Sequence, residues 1–246
     1  MDRSLYVSMT GAKEALRAQG VNNHNLANAS TTGFRADLSA FQTRAVTGAG
    51  FASRAFATNS TTGWDQTYGA AMSTGRDLDV AVQGAGWLAV QGANGTEGFT
   101  RAGDLKVDAN GMLVNGTGHL VMGGDGPITV PPYASIAIAT DGTVSIVPLG
   151  QAATTTADIG RIKLVNPPAE SMVRSDDGLF RTRDGVQPQA DANVHVVSGV
   201  LEGSNVNTAD AMVNMIELSR HFELQVKAMR TAEEDAATAA QLLKMG

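Results

Sequence analysis

At 246 residues the chain can bury one sizeable core or two small ones, and 43% apolar with 17% charged residues excludes both compositional disorder and a coiled coil throughout. A net charge of −6 excludes nucleic acid as the main partner, because gripping a phosphate backbone needs a basic face. Cysteine is absent, which removes disulfides, thiolate catalysis and Cys-based metal sites, and no stretch approaches the roughly 18 consecutive apolar residues of a spanning helix, so no membrane insertion is expected.

The chain opens Met1-Asp2-Arg3-Ser4-Leu5-Tyr6, without a charged region followed by an apolar run, so a cleaved secretory signal is not expected. Leu5, Met9, Ala12, Leu16, Gln19, Asn23 and Leu26 then follow alternating four- and three-residue steps. That spacing predicts a helix from about Arg3 to about Asn28 with one largely apolar stripe, which turns polar at Gln19 and Asn23. Ser30-Thr31-Thr32-Gly33 breaks it, and Gly33 suits a positive φ.

Residues 31–74 carry Phe41, Phe51, Phe56, Trp64 and Tyr68 among Gly, Ser and Thr, with no sustained period. They are expected to form an extended connecting segment, either a flexible linker or an arm that orders against neighbours; the aromatics favour the arm.

From about Gly75 to about Gly199 the period becomes two. Leu78-Asp79-Val80-Ala81-Val82, Ser135-Ile136-Ala137-Ile138 and Thr143-Val144-Ser145-Ile146 read as half-buried strands. Asx-Gly pairs such as Asn94-Gly95, Asn110-Gly111, Asp141-Gly142 and Asp177-Gly178 punctuate this region, and Asp141-Gly142 between two alternating runs predicts a hairpin. The whole chain has 28 glycines and only 5% aromatic residues, and this region predicts an antiparallel β domain built on small aliphatic side chains, closed or sandwiched.

The C-terminal stretch returns to helical spacing through Met212, Met215, Ser219, Phe222, Val226, Met229, Glu233, Ala236, Ala240 and Leu243. Asn207 or Thr208 would cap its start, and Asp210 favours the first turn through the helix dipole. The expected fold class is therefore α+β: a central antiparallel β domain, barrel- or sandwich-like, flanked by coiled-coil-like N- and C-terminal helices. The expected domains are 1–30 with 204–246 as a discontinuous helical domain, 31–74 as the connecting segment, and 75–203 as the β-rich domain. The two helices can pair as an intramolecular hairpin and still leave apolar surface for neighbouring chains. Leu5, Met9, Ala12, Leu16, Leu26, Met212, Met215, Phe222, Val226, Met229 and Leu243 are the candidate assembly residues.

Catalytic chemistry is hard to find. His24, His119, His195 and His221 stand at no metal-ligand spacing, and His24 and His221 read as polar interface positions. Gly84-Ala85-Gly86 and Gly123-Gly124-Asp125-Gly126 do not sit between a strand and a helix, so they read as turns rather than phosphate loops. Asp77 and Asp79 could form an acid pair, but the solvated face of a strand is the simpler reading. No enzyme, metal or cofactor is expected. One rival is an extracytoplasmic β-domain enzyme using carboxylates at Asp77, Asp79, Asp104 and Asp108; another is a soluble β-domain binding module.

Asn25-Leu26-Ala27-Asn28-Ala29-Ser30-Thr31-Thr32-Gly33-Phe34-Arg35 closely resembles the N-terminal signature of the flagellar rod and hook axial proteins. Ser73 to Trp87 and Thr100 to Asp108 resemble the opening of that family's central β domain, and Leu201-Glu202-Gly203-Ser204-Asn205-Val206-Asn207 with Met212, Met215, Arg220 and Phe222 resembles its C-terminal signature. Within the family the opening wording is most similar to proximal-rod members, with distal-rod members the close rival. His24 departs from the Asn usual before the Asn-Leu-Ala-Asn run. The resemblance implies an axial structural subunit with an inner helical domain and an outer β domain. It also implies export by the flagellar type III apparatus without signal cleavage, and assembly with itself and other rod subunits in the periplasm-spanning basal body. By the same resemblance Asn25, Leu26, Ala27, Asn28, Thr32, Gly33, Phe34 and Asn205 are motif residues, expected to fix the chain as it leaves and re-enters the helical domain.

Overall fold

The computed structural model describes residues 3–45, 55–152 and 154–242. It divides into two compact units. One holds the N-terminal helix to Ala29, Ala36–Asp65 and the chain from Val206; the other holds Ser30–Arg35 and Gln66–Asn205.

In the helical unit, α1 (Arg3–Ala27) and α2 (Thr208–Leu242) pack together, and a hairpin of β1 (Asp37–Ala45) and β2 (Ala55–Trp64) packs against α1. The Asn22 amide donates to the Ala211 carbonyl at 2.8 Å, while Gly11 lies against Gln225, so the two helices run antiparallel. Small residues set this pairing. Gly11, Ala15 and Ala18 are buried along α1, and a Cβ at Gly11 would come 2.9 Å from the Gln225 side chain. On α2, the covered or half-covered positions Ala211, Met215, Leu218, Phe222, Gln225, Met229 and Ala232 recur at four- and three-residue steps.

Asn207 caps α2: its side-chain oxygen accepts from the Ala209 amide at 3.0 Å, and its Nδ2 donates to Asp210 at 2.7 Å. At 35 residues and 1.5 Å per residue, α2 is about 52 Å long. Residues 233–241 are exposed on every side. The stretch 31–74, expected as an extended connector, contains the β1–β2 hairpin, whose register shifts between Leu38 and Ser39. A two-stranded ribbon is marginal alone, and packing on α1 supplies the missing support. Phe51 and Leu243 lie outside the described residues.

The β unit contains several open antiparallel sheets, compatible with a sandwich. β3 (Ala71–Ser73), β4 (Val80–Gln83), β5 (Trp87–Gln91), β6 (Glu97–Thr100), β7 (Lys106–Val107), β8 (Leu113–Val114) and β9 (Leu120–Val121) come first in the chain. They are followed by β10 (Tyr133–Ile138), β11 (Thr143–Pro148), β12 (Ala157–Arg161), β13 (Leu164–Val165), β14 (Met172–Arg174), β15 (Phe180–Thr182), β16 (His195–Ser198) and β17 (Val200–Glu202). The largest sheet runs β14-β15-β6-β5-β9-β8-β7, with β13 also on β5; β10-β11-β12 form a second; β4 pairs with β16 and β3 with β17.

Branched aliphatics fill the core: Val80, Leu88, Leu105, Leu113, Val121, Val144, Ile146, Ile162 and Leu164 are fully or almost fully buried. Each such side chain contributes on the order of 1.5–3 kcal/mol. The Asp141-Gly142 turn joins β10 to β11 as the sequence predicts; Gly142 has φ +87°, and the Asp141 carboxylate accepts from the Thr143 amide at 3.0 Å. Ile136 faces Ile146, and Ile138 faces Val144.

One expectation fails in this unit. Asp79, read as part of a solvated strand face, is only 4% exposed. Its neighbours Val80, Ala81 and Val82 are all buried, so this is a strand covered on both faces, where alternation gives no clue. The backbone of Asp79 donates to Arg76 and accepts from Gly199, and the Arg76 guanidinium stands 3.6 Å from its carboxylate.

Candidate assembly surface

The inward seam of the helical unit takes in part of the sequence stripe and adds smaller residues beside it. Ala12 is buried, and Leu5, Leu26, Met215, Phe222, Val226 and Met229 are half-buried, but Met9, Leu16 and Met212 are exposed. The reason is rotational: one residue turns a helix by 100°, and the small face at Gly11, Ala15 and Ala18 allows closer approach than the larger stripe beside it. Several bulky apolar side chains are left outside. Tyr6 (49%), Met9 and Leu16 on α1, with Met212, Val213, Ile216 and Leu224 (64%) on α2, are about half exposed or more. Large apolar side chains recurring on the outer sides of both helices make these the candidate interaction surface.

The motif asparagines fasten this unit internally. Asn25 makes a two-way link to the first residue of the hairpin: its Nδ2 donates to the Asp37 carbonyl at 2.9 Å, and its Oδ1 accepts from the Asp37 amide at 2.8 Å. Asn28 Nδ2 donates to the His24 carbonyl at 2.9 Å, satisfying one of the orphan carbonyls of the helix end. His24 Nδ1 lies 3.1 Å from an Asp37 carboxylate oxygen. A groove of about 500 Å³ opens between α1, α2 and β1, with Phe41 and His221 stacked at 6.5 Å across it.

The motif residues of the β unit converge on a buried ionic clasp that the sequence reading missed. Glu202 receives Arg35 Nη2 at 2.6 Å on one carboxylate oxygen and Arg101 Nη1 at 2.7 Å on the other. All three side chains are almost completely buried. The Gly69 amide adds a third bond to Glu202 at 3.1 Å. Arg101 also donates from Nε to the Gly86 carbonyl at 3.0 Å and from Nη2 to the Gly84 carbonyl, and Arg35 donates to the Thr67 carbonyl. The Tyr68 ring receives both guanidinium groups, at 5.1 Å from Arg35 and 4.8 Å from Arg101. Burial pushes the Arg35 guanidinium below its ordinary pKa; Glu202 opposes that shift and the nearby Arg101 charge reinforces it.

Gly33 has φ +66° and donates its amide to the Glu202 carbonyl at 2.7 Å; a Cβ there would lie 2.3 Å from the Arg101 backbone. Phe34 sits 4.6 Å below the Arg174 guanidinium. The Asn205 amide donates to the Phe34 carbonyl at 3.3 Å, and its side chain donates to the Thr67 carbonyl at 3.0 Å. Thus Ser30–Arg35 and Leu201–Asn205, far apart in the chain, are bonded side by side within one unit. Thr32 is half-buried and makes no side-chain hydrogen bond among the described residues.

Two of the enzyme rival's carboxylates have structural partners, Asp79 beside Arg76 and Asp108 in a turn. Asp108 accepts from the Asn110 and Met112 amides at 2.9 and 2.7 Å, which hold its pKa below the usual carboxylate range, the Met112 bond foremost. Asp79 and Asp104 face each other in an isolated bridge. Asp104 presses on Gly116, where a Cβ would stand 1.7 Å from Oδ2. Among the described residues no cluster of His, Asp or Glu is placed to hold a metal ion, and no helix is long and apolar enough to cross a membrane.

An α+β chain with large apolar side chains exposed on both terminal helices belongs to the class of structural assembly proteins. Residues 197–242 match the family model described as flagellar basal body rod FlgEFG protein C-terminal, and residues 81–146 match that of the flagellar hook protein FlgE/F/G D1 domain. The chain is 47% identical to the flagellar basal-body rod protein FlgF of Escherichia coli and 45% identical to that of Salmonella typhimurium, each over the full length of both chains. It is 31% identical to the flagellar basal-body rod protein FlgG of Bacillus subtilis, over 95% of this chain and 96% of that one. The chain belongs to the flagellar basal-body rod protein family and is of the FlgF type. The relatives are structural rod proteins, and the chain is not an enzyme.

Proposed function

We propose that the chain is a structural subunit of the proximal part of the flagellar basal-body rod, and that it joins its neighbours through the terminal helices. In the assembled state α1 and α2 form a coiled-coil-like inner layer, with Leu5, Met9, Ala12, Leu16, Leu26, Met212, Met215, Phe222, Val226, Met229 and Leu243 divided between the internal seam and contacts to sister and other axial subunits. The residues 75–203 form the outer β domain. Subunits are exported through the flagellar type III apparatus without signal cleavage to the periplasm-spanning basal body, and the finished rod transmits torque to the hook.

The observation that carries this reading is the outward apolar set on α1 and α2, above all Leu16 and Ile216, on a unit whose small residues are turned inward. Water contact with these side chains is unfavourable by about 25 cal/mol per Å² of apolar surface, so neighbours that cover them stabilise the assembly. The distal rod is the alternative placement, supported by the likeness to FlgG, but at 31% against 47% identity. Deleting the gene and imaging purified basal bodies by electron microscopy tests the proposal. Rods truncated or lost at their base are expected; intact rods would overturn it.

A further inference from the structure

The outward face of α1 and the groove of the same unit are complementary. Tyr6, Met9, Lys13 and Leu16 are all exposed and follow 3-4-3 steps, giving an apolar stripe with a single cation at its centre. The groove of about 500 Å³ has Leu38, Phe41 and Leu218 among its apolar walls and Glu217 among its polar ones. Its walls are joined by the Asn25–Asp37 double bond between α1 and the hairpin and by the Asn22–Ala211 bond between α1 and α2. Lys13 and Glu217 are exposed, and neither makes an ion pair or side-chain hydrogen bond among the described residues. The stripe draws on the first half of α1, whereas the α1 residues lining the groove, from Ala18 to Asn25, belong to its second half.

We propose that the Tyr6–Leu16 stripe of one copy seats in the groove of a second copy of this chain, with Lys13 paired to Glu217. The inference rests on the rod-subunit reading and specifies one interface within it. Both halves of the complementarity lie on this chain, which is why the occupant is a second copy. Stripe and groove are different surfaces, so one contact leaves the first copy's groove and the second copy's stripe free; when these engage further copies the contact runs head-to-tail and propagates. The apolar stripe supplies affinity, and the Lys13–Glu217 pair sets the register and rejects misaligned partners.

A carbodiimide tests the pair in the unaltered protein. It condenses an amine with a carboxylate in contact, with loss of water, into an amide. Basal bodies are purified from cells mixing isotopically light and heavy copies of the chain, treated with the reagent, digested and analysed by mass spectrometry. The expected product is a Lys13–Glu217 peptide pair containing one light and one heavy member. Basal bodies that contain the chain but yield no such pair, or yield it only within single copies, would overturn this inference and leave the rod reading standing. Basal bodies that lack the chain would overturn both. Charge reversal adds a genetic arm: Lys13→Glu lowers incorporation by about tenfold, and adding Glu217→Lys restores it. Failure of the second change to rescue the first would count against the pairing.

Discussion

The two units handle their difficult side chains in opposite ways. In the β unit, three ionised groups that would be costly to bury are buried together and satisfied by one another: Glu202 holds Arg35 and Arg101, and glycines let the backbone close around them. In the helical unit, side chains that would gain from burial are left out: Leu16, Ile216 and Leu224 remain at least half exposed while alanines occupy the inside. The β unit is thus complete as a single chain, and the helical unit is incomplete until something covers it. An inner seam of small residues buries little apolar area within one chain and leaves the larger side chains outside for partners.

The sharpest way to break this contrast is to open the clasp. Glu202→Ala leaves two guanidinium groups buried without their counter-charge, a loss of about 3–5 kcal/mol. Thermal unfolding followed on the β unit should show the largest drop of any change considered. A small drop would mean that water reaches the Arg35 and Arg101 groups. Next is Gly33→Ala, which forces a Cβ toward the Arg101 backbone at a positive φ; about 1–3 kcal/mol is expected in denaturant titration.

Acid stability sharpens the comparison further. The Asp177 carboxyl is held below its usual pKa, first by its hydrogen bond to Arg181, whose Nη2 lies at 2.5 Å. Because the folded-state value is the depressed one, the contribution is present above the ordinary carboxylate range and is lost as pH falls through the folded value. Asp177→Asn should flatten the acid limb of a stability-versus-pH curve by less than about 1 kcal/mol, the pair being near the surface. The smallest monomer effect belongs to the helices. Leu16→Ser with Ile216→Ser should leave the melting curve of the isolated chain within about 0.5 kcal/mol of the original, yet reduce recovery of the chain in purified basal bodies. A destabilised monomer with normal incorporation would reverse the roles assigned to these faces.

The sequence made some of this legible. Heptad-like spacing located both helices, α1 at Arg3–Ala27 and α2 from Thr208, because repeated apolar positions define a period even when the face is ambiguous. It did not single out the small inward face, since Gly11, Ala15 and Ala18 look unremarkable beside Met9 and Leu16 although they are buried against α2. The Asp141-Gly142 hairpin was readable from turn chemistry alone. The β1–β2 ribbon was hidden because strands packed on a helix as an isolated pair need no strict alternation. The clasp was invisible for a deeper reason: Arg35, Arg101 and Glu202 are brought together only by long-range strand pairing, and nothing local distinguishes them from solvated charges.

Hydrogen exchange compares the two units in one experiment. With the chain alone in dilute solution and again within purified basal bodies, the amides of Val80, Val121 and Val144 should be protected in both states, while those of α1 and α2 exchange rapidly alone and become protected on assembly. Helices already as protected in the free chain as the β core would contradict the claim that sister subunits complete the helical unit.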